Sequence, residues 1–180
     1  STGTYEAFEK RDENNKRYLG KSVLNAISLV NTKISNKLKG QSIHNQENID
    51  SIMINLDGTR QKTNLGANSI LAVSMAAKKL SAKIKKQPLY KTFFIKNNFK
   101  LPLPLMNIIN GGAHANNGLR IQEFMIRPDR AKNFSDAMRI CFLVIKNLSK
   151  ILENKGLSIS VGDEGGFAPM INNNNQALDL

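Results

Sequence analysis

The hydrophobic period of this chain changes at Pro102 and Pro104, and that change constrains the fold more than any other feature. Before the prolines, apolar residues recur at helical spacing. Beyond them come two strand-like runs, near 105–110 and 121–127, and then a long helical run. Two strands followed by helices is not the strand–helix alternation of a regular parallel sheet. The prolines mark a boundary, giving a first domain over 1–101 and a second over 102–180. No internal repeat is visible.

In the first domain, Leu19, Val23, Ile27, Val30, Ile34 and Leu38 predict a helix, and Gly40 follows as a stop. A shorter helix carries Ile49, Ile52, Met53 and Leu56 and runs into Asp57-Gly58, a turn dipeptide. A third, over 64–86, is rich in Gly66, Ala67, Ser69, Ala72, Ser74, Ala76 and Ala77. Such small side chains permit close contact and predict the central packed helix. Leu89, Tyr90, Phe93 and Phe94 are expected to fill the core. In the second domain, Phe134, Met138, Cys141, Phe142, Ile145, Leu148 and Leu152 form the expected buried side of the long helix. Asn133 is its predicted N-cap, with Asp136 three residues on, where an acid suits the positive helix start. Residues 172–180 read as the opening of a further helix.

A chain of 180 residues that is 41% hydrophobic can bury a core of ordinary size. One cysteine, Cys141, excludes an internal disulfide and fits a reducing compartment. Its place on an apolar helix side points to a buried thiol rather than a reactive one. No apolar run approaches a membrane span. The net charge of +12 would ordinarily suggest nucleic acid or an anionic membrane. Here the lysines are scattered over helix faces, as at Lys78, Lys79, Lys83, Lys85 and Lys86, with no aromatic platform between them. No nucleic-acid-binding motif accompanies them. A solvated lysine surface is the preferred reading, with a basic polyanion-binding module as the alternative.

The chemistry-bearing residues fall in two clusters. Val161-Gly162-Asp163-Glu164-Gly165-Gly166-Phe167-Ala168-Pro169 sets adjacent acids between glycines. Two carboxylates held together cannot both ionise cheaply, which suits one of them to general-acid work. A bare Asp-Glu-Gly-Gly is equally a polar or calcium-like turn. Upstream, Met106-Asn107-Ile108-Ile109-Asn110-Gly111-Gly112-Ala113-His114-Ala115 leads to Ile121-Gln122-Glu123-Phe124-Met125-Ile126. A single histidine after a glycine pair is, on its own, an ordinary loop residue. Together, and in this order, the strings resemble the enolase family. The resemblance extends through Leu56-Asp57-Gly58-Thr59, 65–71 and 5–12, and so covers essentially the whole chain.

The resemblance implies a mixed α/β and α+β fold: the helical part of an enolase N-terminal domain, then the opening β-β-α-α portion of a β/α barrel. Ser1-Thr2-Gly3 looks like the end of a family loop, and most of the barrel would follow Leu180, so the 180 residues are expected to be part of a longer protein. The activity implied is dehydration of 2-phosphoglycerate to phosphoenolpyruvate with Mg²⁺, by a cytoplasmic homodimer or higher oligomer. By resemblance, Glu164 is the proton donor and Glu123 supports it and the departing hydroxyl. Gln122 contacts substrate, His114 sits on a mobile loop that closes on the substrate phosphate, and Ser1 helps hold a second Mg²⁺. The lysine base and the three carboxylates for the first Mg²⁺ are implied to lie beyond Leu180, so no lysine present here takes that role. His44 matches nothing in the family and reads as structural. A homologue that has lost its catalytic activity is a further alternative.

Overall fold

In the computed structural model, which describes residues 3, 5–13, 17–93, 99–162 and 164–180, a carboxylate far off in sequence starts the first helix. Asp12 accepts from Leu24 N at 2.7 Å and from Asn25 N at 2.9 Å. These are unpaired amides at the start of α1 (Leu24–Leu29), whose N-cap residue Val23 offers no side-chain bond. The bond from Asn25, joined by that from Leu24, holds the Asp12 carboxyl below the ordinary carboxylate value against the opposing effect of burial. The helix widens into a π-segment at Val30–Ile34 and ends as α2 (Ser35–Leu38), before Gly40 at φ +80°.

Its predicted start at Leu19 is wrong. Arg17–Gly20 is a 3₁₀ turn in which Tyr18 and Leu19 both have φ of 53°, and Leu19 is 93% exposed. The chain folds back here so that Asp12 N donates to Ser22 O at 2.8 Å. That return brings the carboxylate to the helix start. Ile27, also expected on the buried side, is exposed.

The chain divides into two units, Ser1–Asn97 and Asn98–Leu180. In the first, α3 (Gln46–Asp57) begins at Asn45, whose side chain accepts from Asn48 N, and ends at Gly58 with φ 68°. The central helix α4 (Ala67–Ile84) packs against α1, the π-segment and α3. Its buried positions are small (Ser69, Ala77, Ser81 and Ala82), which is what lets three helices approach it. Ile34, Ile49, Met53, Leu65 and Ala77 form the core. Asp57, legible only as part of a turn, is a buried carboxylate. It accepts from Leu65 N at 2.7 Å, from Thr59 N at 3.0 Å and from the Thr59 hydroxyl. Burial pushes this carboxyl up, but the Thr59 and Leu65 bonds and the charge of Lys62 outweigh it, leaving it below the ordinary value.

The aromatic segment does not fill the core. Leu89–Thr92 is a 3₁₀ turn lying on α4, with Tyr90 and Phe93 more than half exposed. Phe93 instead receives the Lys78 ammonium 4.9 Å from its ring centre, while Lys78 donates to Thr92 O at 2.9 Å. Phe94 lies outside the described residues.

In the second unit, β1 (Met106–Asn110) and β2 (Glu123–Ile126) pair antiparallel with a bulge between Asn107 and Ile109. On the other side of β1, Phe167 bridges Ile109 in parallel. Helix α5 (Phe134–Asn154) then crosses, with Asn133 accepting from Asp136 N as its cap. Its buried residues are Ala137, Cys141, Leu148 and Leu152, with Ile145 half-buried between them. The predicted buried face is too wide, because Phe142 is 56% exposed and Phe134 and Met138 are also exposed. Cys141 is a fully buried free thiol, as its position implied. Helix α6 (Asn174–Asp179) closes the unit over a core of Ile109, Leu119, Leu148, Leu152, Phe167, Ile171 and Ala177. Among the described residues, no helix is long and apolar enough to cross a membrane.

Candidate active site

Three backbone turns deliver side chains to one end of β1. The strand runs out at Asn110 into Gly111, whose N–H donates to Gln122 O at 2.9 Å. A Cβ at Gly111 would lie 2.3 Å from Ile121 O and 2.5 Å from Leu119 Cβ, so only glycine lets the loop close here. A single 3₁₀ turn, Gly112–His114, then presents the imidazole. Glu123, first residue of β2, stands opposite Asn110 in the ladder, with Gln122 just before it. Glu164 sits on the turn closed by Gly162 N to Gly166 O at 2.8 Å and Gly165 N to Gly162 O at 3.1 Å.

His114 lies between the two glutamates. Its Nδ1 is 3.7 Å from Glu123 Oε1 and its Nε2 is 3.6 Å from Glu164 Oε1. Both distances exceed a direct hydrogen bond. The Gln122 amide is 2.8 Å from Nε2. Nδ1 faces Glu123, is buried and has no hydrogen-bond partner among the described residues. The side chains grade outward: His114 is 11% exposed, Glu123 24% and Glu164 47%. The arrangement sets an enclosed imidazole between two carboxyl groups, the outermost of them the most open to solvent.

Of the residues singled out from sequence, the structure brings together His114, Gln122, Glu123 and Glu164. Ser1 and Asp163 lie outside the described residues. His44 belongs to the first unit, with Nδ1 3.1 Å from Ser81 Oγ. Sequence reasoning gave no role to Asn110, though it stands in the quoted motif, or to Asn117; both tie the loops together. An amide at a strand end carries no signal that separates it from any other polar residue.

One ligand atom from each of His114, Glu123 and Glu164 falls within 4.8 Å of the others. Mg²⁺ takes oxygen ligands in a near-octahedral shell, so a set containing an imidazole does not fit it. No described residue is assigned to Mg²⁺.

The model of the enolase N-terminal domain family matches residues 1–93, and that of the enolase C-terminal TIM barrel domain matches 98–180. A curated relative, "Enolase" from Pelagibacter ubique (strain HTCC1062), is 81% identical over all 180 residues. The chain spans 43% of that relative's length.

Proposed function

Because this chain belongs to the enolase family, we propose that it supplies one wall of the active site of a lyase converting 2-phospho-D-glycerate to phosphoenolpyruvate. The observation that carries this reading is the convergence of His114, Glu123 and Glu164 from two loops and a strand.

In that reaction a base removes the proton on the carbon bearing the phosphate, and hydroxide leaves the next carbon as the double bond forms. Hydroxide is a poor leaving group and must be protonated as it departs. Glu164 is the donor: its proton passes to the leaving oxygen, the C–O bond breaks, and water is released. The carboxylate left behind is half exposed and recovers its proton from solvent. Glu123, more enclosed, accepts from the departing hydroxyl and holds its orientation. His114 and Gln122, paired at 2.8 Å, donate to substrate oxygens, the imidazole to the phosphate. The base, a lysine in this reading, is supplied from outside these residues, as are the carboxylates for the first Mg²⁺. The assembled enzyme is a homo-oligomer, and its cytoplasmic setting is in keeping with the single buried cysteine.

The test joins this chain to the remaining residues of the Pelagibacter ubique relative and follows phosphoenolpyruvate absorbance with Mg²⁺. The expected result is turnover at ordinary enzymatic rates, about 1–10³ s⁻¹. A well-folded chimera with no turnover would overturn the reading.

A further inference from the structure

Asn110 is fully buried and uses every polar group it has. Its N–H donates to Phe167 O at 2.8 Å and its side-chain amide to Gly166 O at 2.7 Å. Its side-chain oxygen accepts from the Asn107 amide, and its carbonyl accepts from Asn117 Nδ2 at 3.0 Å. Asn117 donates from the same nitrogen to Pro169 O at 3.1 Å. Gly166 O is also the oxygen that Gly162 N uses to close the Glu164 turn. The Asn110 amide therefore plugs that turn from inside.

The fit is close. A Cβ at Gly162 would lie 2.5 Å from Asn110 Nδ2 and 2.8 Å from His114 O, and one at Gly166 would lie 3.2 Å from the same nitrogen. In the ladder Asn110 faces Glu123, and the next residue begins the loop that carries His114. One residue thus touches, or directly adjoins, the supports of all three site side chains.

We infer that Asn110, with Asn117 as a second clasp, is a positioning residue that sets where Glu164 stands relative to His114 and Glu123. The inference rests on the reading of Glu164 as the proton donor. The turn that carries Glu164 is closed by two backbone bonds, Gly162 N to Gly166 O and Gly165 N to Gly162 O. Its attachment to β1 through Phe167 and the Asn110 amide fixes it, and misplacement of a reacting group by about 1 Å can cost on the order of 100-fold in rate.

The test is Asn110→Asp in the chimera. The substitution keeps size and the acceptor facing Asn107, but turns an oxygen toward Gly166 O where a donor stood. Elimination should fall about 10- to 100-fold, while KM for 2-phosphoglycerate stays within about twofold and exchange of the α-hydrogen with deuterated water persists. Loss of folded protein alone would lower exchange and elimination together, so their ratio is the discriminating readout. Asn117→Ala, at a half-buried side chain, should shift the ratio in the same direction by less, and serves if Asn110→Asp does not fold. Equal losses of both steps in these variants, with Glu164→Gln separating them, would make the asparagines purely structural. Equal losses in Glu164→Gln itself would overturn the donor assignment, and this inference with it.

Discussion

His114 Nε2 stands 3.6 Å from Glu164 Oε1, joining a glycine-rich loop after β1 to a turn beyond α5. Its other ring nitrogen faces Glu123 at 3.7 Å. The imidazole is the most enclosed of the three groups and cannot reorient without breaking its contact with Gln122. It is thus held in place beside Glu164.

His114→Gln in the chimera should weaken binding of phosphoenolpyruvate about 10- to 100-fold, the cost of a hydrogen bond to a charged group. Gln122→Ala should weaken it too, since the variant loses both a donor to the substrate and the contact that holds the imidazole. Calorimetric titration with phosphoenolpyruvate measures both. Unchanged affinity in His114→Gln would remove the histidine from the substrate.

Gly162→Ala should disorder the Glu164 turn, because the added methyl would lie 2.5 Å from Asn110 Nδ2 and 2.8 Å from His114 O. Overpacking of this kind costs typically 1–3 kcal/mol, at about the same order here. Urea unfolding of the chain, followed by circular dichroism, would show the lower midpoint. An unchanged midpoint would mean that β1 and the turn are not held this closely.

The fold was legible where period and composition act alone. The strands after Pro104, the small-residue helix α4 and the Asn133 cap follow from local pattern. Pattern failed where a distant group took over. Leu19 continues a helical stripe, yet Asp12 captures the amides of Leu24 and Asn25 and starts the helix later. Phe142 matches the apolar period of α5, but the narrow seam through Cys141 and Leu148 leaves it outside. In the site, His114, Gln122, Glu123 and Glu164 were found through their motifs. Asn110 stands in the same motif, but its role was not legible, because it depends on a carbonyl contributed by a segment beyond α5.

Asp57 should make the first unit acid-sensitive. Its carboxyl titrates below the ordinary value of 3.8 when folded, so its ionised form is favoured by folding. That stabilisation is complete above pH 3.8 and is lost as pH falls through the lower folded value. Asp12 and Asp136 are lowered too and act in the same direction. Asp57→Asn turns one accepting oxygen into a donor facing the Leu65 or Thr59 amide and should cost about 1–3 kcal/mol at neutral pH. Urea midpoints at pH 6 and pH 3 should differ less in this variant than in the unaltered chain. An equal pH response would assign the acid sensitivity to other groups.

The 180-residue chain without the rest of the relative should give no measurable phosphoenolpyruvate, since the base and the carboxylates for the first Mg²⁺ are expected outside it. Losing members of a cooperating constellation removes most of the rate. Turnover by the chain alone would mean that one of its own residues serves as the base.

The most direct measurement of the central claim separates the two halves of the reaction in Glu164→Gln of the chimera. The amide keeps the shape of the side chain but has no proton to transfer. Elimination should slow about 10²- to 10⁴-fold, while exchange of the substrate's α-hydrogen with deuterated water continues near its original rate. Glu123→Gln should show the same separation in milder form. Should exchange and elimination fall together in Glu164→Gln, Glu164 would not be the acid.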